Sequence, residues 1–140
     1  MKRIDNPVCT VVLCTYNGEA YLDEQLDSIL AQTRRPDLVV IGDDGSTDGT
    51  LDLLADFRSD APFPVVIHRG KKRPVGPSEN FSRTLERSAG DWFALCDQDD
   101  IWHANKLECL EAALMADVDV HLAFSDANLV GPTLSDIGKT

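Results

Sequence analysis

No stretch of about 18 consecutive apolar residues occurs in the chain, so the sequence offers no candidate for a membrane-spanning helix. Bases are scarce: 13 Lys and Arg stand against 24 Asp and Glu, for a formal net charge of −11. DNA and RNA are held mostly by neutralising their phosphates, and the overall field of this chain has the wrong sign for that, so no nucleic-acid partner is expected. Glutamate is scarcer still, with six Glu against 18 Asp. Asp favours turns, caps and ligand positions over helix interiors, which makes the placement of those 18 residues the first question. The only cysteines are Cys9, Cys14, Cys96 and Cys109, and no two form a CxxC pair. They read as small buried hydrophobes kept reduced, rather than as zinc ligands or disulfides. The opening residues, Met1 to Pro7, are too short and polar for a secretory signal, so a cytoplasmic protein is the expectation. A length of 140 residues suits one domain burying roughly two-thirds of its unfolded surface.

Five apolar runs recur along the chain: Val8 to Leu13, Leu38 to Ile41, Val65 to Ile67, Trp92 to Cys96 and Val118 to Phe124. The first three are short, β-branched and continuous, as strands covered on both faces of a parallel sheet read. Between the runs lie helical patterns. One spans about Glu19 to Gln32, with Leu22, Leu26, Ile29 and Leu30 on a single stripe. Others run from about Thr50 to Arg58, from about Ser78 to before Gly90 with Phe81 and Leu85 at i and i+4, and from about Asn105 to Met115 with Leu107, Leu110 and Leu114 inward. Strand and helix alternate, which predicts an α/β fold: a mainly parallel sheet with helices on both faces and right-handed crossovers.

In such sheets ligands bind outside the carboxyl ends of the strands. Asp43 and Asp44 follow the second predicted strand, Asp97, Asp99 and Asp100 the fourth, and Asp126 the fifth. Converging carboxylates raise one another's pKa unless a cation or hydrogen-bond donors compensate, and a divalent metal is the simplest compensation. Asp97-Gln98-Asp99-Asp100 carries oxygen ligands without His or Cys, which suits Mg²⁺ or Mn²⁺; it also reads as a polar turn capping the next helix. Asp43 to Thr50 is a well-capped strand-to-helix turn, although capping leaves the two adjacent Asp at the strand end unexplained. Cys14-Thr15-Tyr16-Asn17-Gly18 is either a plain turn or a turn that presents an aromatic face to a base. Arg69-Gly70-Lys71-Lys72-Arg73 is either a solvated basic loop or a diphosphate attractant, and Asn80 opens the helix that follows, where anions are favoured. Trp92 reads as a core anchor, and Trp102 as either core or a wall of the ligand cleft.

Taken together, these segments resemble the nucleotide-binding half of a family 2 glycosyltransferase with the Rossmann-like GT-A fold. The resemblance rests on Val11 to Asn17 with Ser28 to Thr33, on Val39 to Thr50 and on Ala89 to Trp102, in that order. It implies that Thr15, Tyr16 and Asn17 and the pair Asp43 and Asp44 line a nucleotide pocket. Tyr16 would flank the base, and Asp44 would accept the imide of uracil or thymine. It also matches Asp97-Gln98-Asp99 to the family's Asp-x-Asp motif. Asp99 would then hold a Mg²⁺ or Mn²⁺ bridging two phosphates, and Asp97 would touch ribose or sugar. Arg73 and Asn80 complete the expected nucleotide set. The wording Asp-Gln-Asp-Asp-Ile-Trp is similar to rhamnosyltransferase-type members that build bacterial polysaccharides.

The resemblance implies an inverting transfer from a UDP- or dTDP-sugar to a carbohydrate, lipid-linked or protein acceptor. In the family the general base and the acceptor-binding half lie beyond the matched region. Residues 1–140 are therefore expected to be one nucleotide-sugar-binding domain truncated before that half, with the base beyond Thr140. A missing downstream region would also supply any association with the inner face of the cell membrane. Two other readings compete with this one. A phosphoacceptor receiver needs an Asp after the third strand and a Lys after the fifth, but His68-Arg69-Gly70 and the lack of a Lys before Lys139 oppose it. A noncatalytic nucleotide-sugar-binding module, or an inactive fragment, shares every donor-site feature.

Overall fold

The computed structural model describes residues 5–71 and 73–138. Strand and helix alternate as β1 (Cys9–Thr15), α1 (Leu22–Leu30), β2 (Leu38–Asp43), α2 (Thr50–Asp60), β3 (Val65–Arg69), α3 (Pro77–Glu86), β4 (Trp92–Asp97) and α4 (Lys106–Met115), followed by β5 (Leu129–Val130) and β6 (Asp136–Gly138). The described residues divide into two compact units within α4, at the junction of residues 108 and 109. All of the sheet that carries the expected site belongs to the larger, earlier unit. No helix among the described residues is long and apolar enough to cross a membrane.

The larger unit is built on a parallel sheet ordered β3-β2-β1-β4. Right-handed crossovers dictate the rest. Stepping from β1 to β2 to β3 puts α1 and α2 on one face, and returning past β1 to β4 puts α3 on the other. Side-chain contacts agree. Gln25 of α1 donates to the Cys96 thiol on the face shared by Leu13 and Cys96. On the opposite face α3 sets Thr84 against Cys14, with Asn80 donating to the Gly42 carbonyl at 2.7 Å. β1, central and covered on both sides, has all seven residues buried. β4 alternates, with Trp92, Ala94 and Cys96 inward and Phe93 and Leu95 exposed.

Helix α3 turns Asn80 and Thr84, rather than the apolar pair Phe81 and Leu85, fully inward. Phe81 and Leu85 are half-buried. Close approach explains the choice, because a Cβ on Gly42 would lie 2.0 Å from the Thr84 hydroxyl oxygen. A helix seated that low on the sheet has room beneath it only for small polar side chains facing a glycine. Those side chains must then hydrogen-bond, as Asn80 does to Gly42 and Thr84 to the Asn80 carbonyl.

The expected fifth strand, Val118 to Phe124, does not form. Where it was to begin, the Asp117 carboxylate accepts from the Asp119 amide at 3.1 Å and the Asp117 carbonyl accepts from the Val120 amide at 3.2 Å, closing a turn. The apolar side chains beyond stay in solvent, Leu122 at 78% and Phe124 at 88% exposure. Asp126 therefore follows no strand; its carboxylate accepts from the adjacent Ala127 amide. Strands β5 and β6, which no periodicity announced, pair antiparallel instead. Cys9, Cys14 and Cys96 are buried thiols outside any disulfide, as expected, whereas Cys109 is exposed. Trp92 and Trp102 are both core residues. The Trp102 amide donates to the Ser28 hydroxyl at 3.1 Å, and Lys106 lies 5.1 Å from its ring, so this indole does not wall a cleft.

Candidate functional site

The carboxyl ends of β1, β2 and β4 meet at the reversal of strand order, where β2 continues to one side of β1 and β4 returns on the other. That reversal is where an open α/β sheet splays its loops and leaves a crevice. Chain polarity alone thus brings Thr15, Tyr16 and Asn17, then Asp43 and Asp44, then Asp97, Asp99 and Asp100, to one edge.

Asp43 is the anchor of that edge. It is 2% exposed, and its carboxylate accepts from four donors: Thr15 Oγ1 at 2.9 Å, the Gly45 amide at 3.1 Å, the Ser46 amide at 2.9 Å and the Ser46 hydroxyl. The Ser46 hydroxyl accepts in turn from the Asn17 amide at 2.9 Å. Asn17 adopts a left-handed φ of 46°, a conformation Asn tolerates better than most residues. It is the first stitch in a lacing of the β1–α1 loop to the β2–α2 loop. Five hydrogen bonds make the lacing: Asn17 N to Ser46 Oγ, Thr47 N to Asn17 Oδ1, Gly18 N to Thr50 Oγ1, Glu19 N to Asp48 Oδ2 and Gly49 N to Glu19 Oε2. Asp48 is held below the usual carboxylate range because the bonds from Thr50 and Glu19 outweigh its desolvation.

Asp44, 5% exposed, faces the third loop. Its carboxylate accepts from the Val75 amide at 2.9 Å and the Gly76 amide at 2.8 Å, which holds the approach to α3 over the sheet end. Gly76 has φ of 92°, a conformation that favours glycine just before Pro77 starts the helix. Arg73, exposed, lies in the loop so tethered.

The expected residues therefore separate into two groups. Tyr16, at 44% exposure, Asn17, Arg73, Asp97 and Asp99 reach the surface of the edge. Thr15, Asp43, Asp44 and Asn80 do not: the two carboxylates are buried against their loop donors, Thr15 is spent on Asp43, and Asn80 is buried under Gly42, so neither Thr15 nor Asn80 is free to meet an anion. Among the described residues, a concavity of about 400 Å³ lies between Ser46, Thr47 and Leu51 on one side and Arg69, Gly70 and Lys71 on the other. Of the expected nucleotide set it takes in only Asp43, together with Arg69 and Lys71 of the basic loop.

Electrostatics mark the end of β4. Partial desolvation, then the nearby carboxylates of Asp100 and Asp99, hold Asp97 above the usual carboxylate range. Burial pushes the Cys14 thiol beneath the same edge up to about 11, with Asp97 and Asp44 adding to the shift, so it stays protonated and unreactive at neutral pH. The Asp97 shift has a sign that can be measured. A carboxyl whose folded pKa is raised binds more protons folded than unfolded, so it opposes folding above that pKa and the opposition fades as pH falls toward 3.8. In metal-free buffer Asp97→Asn is expected to melt above the native chain at neutral pH, with the gap closing on acidification. A gap that does not change with pH would contradict the assigned cause.

The residue that sequence reasoning missed is Gln98. Its Oε1 accepts from the Tyr16 amide at 2.8 Å and its Nε2 donates to the Tyr16 carbonyl at 3.1 Å. The available signal was an uncharged amide set inside an acidic run, opposite Gly18. Glu19, Asp48 and Thr50 were missed as lacing residues for a similar reason, since their partners lie in another loop.

Comparison with known proteins agrees with this geometry. The family model described as glycosyl transferase family 2 matches residues 10–133. The dTDP-rhamnosyl transferase RfbG of Shigella flexneri is 34% identical over 99 residues, which are 69% of this chain and 34% of that protein. Residues 1–349 of TarS from S. aureus, solved with UDP, share 28% identity at a TM-score of 0.67, covering 76% of this chain and 31% of theirs. The mannosyltransferase PcManGT of Pyrobaculum calidifontis, solved with GDP-Man and Mn²⁺, shares 26% identity at a TM-score of 0.69, covering 81% and 33%. The chain spans about a third of the length of the curated relatives it matches. The α/β architecture is that of the GT-A glycosyltransferases, and the chain belongs to glycosyl transferase family 2.

Proposed function

We propose that this chain is the donor-binding part of a cytoplasmic, nucleotide-sugar-dependent glycosyltransferase that takes a UDP- or dTDP-sugar. The observation that carries the reading is the placement of an exposed aromatic, Tyr16, beside the carboxylates of Asp97 and Asp99 on neighbouring strand ends at the strand-order reversal. Relatives solved with UDP or with GDP-Man and Mn²⁺ support a nucleoside diphosphate as ligand, and RfbG supports a rhamnosyl-type subclass.

In this reading Tyr16 stacks on the base. Asp44 accepts the base imide with the lone-pair capacity left after Val75 and Gly76. Asn17 borders the nucleoside, Arg73 draws the diphosphate and Asp97 meets ribose or sugar. The donor set also fits a hard cation. The carboxylates of Asp97, Asp99 and Asp100 are exposed and close enough to disfavour ionisation of Asp97. Among the described residues no three His, Cys, Asp or Glu form a metal cage of their own. Exposed carboxylate oxygens without His or Cys suit Mg²⁺ or Mn²⁺, which typically take one or two carboxylates and fill the remaining positions with water and substrate phosphate. Asp99 would hold the ion. When bound, such an ion neutralises charge on the departing nucleoside diphosphate. The chain's own residues bind and orient the donor, and the base that activates an acceptor hydroxyl for inverting attack is expected outside residues 1–140. The acceptor is a carbohydrate, a lipid-linked sugar or a protein.

Calorimetric titration with UDP and with dTDP, each with and without Mn²⁺, tests the reading. Binding that strengthens with Mn²⁺ is expected, and a folded chain that binds neither nucleotide in either condition would reject it.

A further inference from the structure

We propose that Gln98 is a positioning residue that locks the Tyr16 platform to the carboxylates of Asp97 and Asp99, so that the nucleoside end and the diphosphate end of a donor bind as one event. This rests on the donor-site reading above.

The ladder between β1 and β4 runs in register from Cys9 opposite Trp92 to Cys14 opposite Asp97 and then ends, because the backbone turns at Gln98 and Asp99. Past that point the two strand ends have no backbone bond to hold them together. The Gln98 side chain takes over, with one planar amide satisfying both the N–H and the C=O of Tyr16. An amide side chain offers donor and acceptor side by side in a single plane, at any pH. Glu would supply acceptors alone and add a fourth negative charge beside Asp97, Asp99 and Asp100, and Asn is one methylene shorter.

Room for the clamp comes from the β1–α1 loop. A Cβ on Gly18 would stand 2.3 Å from Gln98 Oε1 and 2.7 Å from Gln98 Cδ. Gly18 and Gln98, far apart in sequence, thus make one device. The clamp joins the groups expected to meet opposite ends of the ligand: Tyr16, whose own backbone it grips, on one side, and Asp97 and Asp99, the covalent neighbours of Gln98, on the other. With the clamp closed the two ends share one geometry. With it open, the β1–α1 turn and the turn at the end of β4 move separately, and each end of a ligand must be ordered on its own.

Two substitutions open the clamp by different routes. Gln98→Met removes the hydrogen bonds at similar length, whereas Gly18→Ala leaves Gln98 intact and displaces it. On the full 140-residue chain titrated with UDP at saturating Mn²⁺, each is expected to weaken binding about five- to tenfold, the scale of one or two lost hydrogen bonds. The double variant should bind no more weakly than the weaker single one, because both changes remove the same contact. The Mn²⁺-dependent gain in UDP affinity should shrink in all three, a loss that generalised destabilisation does not produce. Amide exchange at Tyr16 should accelerate in each variant without any ligand. Folded variants that bind UDP as the native chain does, or losses that add in the double variant, would overturn the inference while leaving the donor-site reading standing. A native chain that binds no UDP defeats both.

Discussion

Asp43→Ala is expected to destabilise the larger unit by about 3 kcal/mol, because it removes a charged acceptor from several buried or partly buried donors at once. That is a large share of the roughly 5–15 kcal/mol that holds a typical domain folded. The effect should be far smaller for Asp43→Asn. Asn keeps an Oδ1 to accept from the Gly45 and Ser46 amides. Its Nδ2, where Oδ2 had been, faces the hydroxyls of Thr15 and Ser46, which can rotate to accept. Urea unfolding of the three proteins measures both quantities. Equal losses for Ala and Asn would mean that charge, rather than the hydrogen-bond pattern, makes Asp43 important. A native midpoint for Asp43→Ala would remove it as the anchor of the edge.

Asp99→Ala is expected to do the opposite, leaving the fold alone and stripping the site. Asp99 is exposed and no hydrogen bond of its side chain contributes to the lacing, so stability should stay within about 0.5 kcal/mol of native. The Mn²⁺-dependent part of UDP or dTDP affinity should vanish, a loss of at least about tenfold, the scale seen when even an outer partner of a metal ligand is removed. Metal-free affinity, which rests on Tyr16, Asp44 and Arg73 in the proposed reading, should not change. Calorimetry on the variant with and without Mn²⁺ separates the two contributions. A Mn²⁺ response equal to the native one would move the cation site away from Asp99.

Much of the larger unit was legible in the sequence because its signals are local. Val11, Val12 and Leu13, or Val39, Val40 and Ile41, form a continuous apolar run because both faces of the strand are covered, and helices between such runs leave a parallel sheet as the economical topology. Strand polarity then forces Tyr16, Asp43 and Asp97 to one edge before any side chain is placed. What was illegible depended on partners distant in the chain. Nothing around Asn80 and Thr84 signals that α3 sits so low over Gly42. Likewise nothing around Thr15 or Asn80 signals that each spends its polar group inside the protein. The run from Val118 to Phe124 misled for the converse reason. It has the composition of a strand, but the alternating Asp117 and Asp119 supply their own local hydrogen bonds and turn the chain first.

The lacing between the loops after β1 and β2 carries a consequence for how affinity and stability are related here. A slack binding loop loses conformational freedom each time a ligand arrives, and that loss subtracts from affinity. With Asn17, Gly18 and Glu19 already stitched to Ser46, Thr47, Asp48, Gly49 and Thr50, the same freedom is surrendered once, when the chain folds. The hydrogen bonds that shape the nucleotide edge are thus also bonds that keep the unit folded. Sequence change at this edge is doubly constrained: a substitution that slackens the stitching lowers the melting point and the ligand affinity together, even at a residue that never touches the ligand.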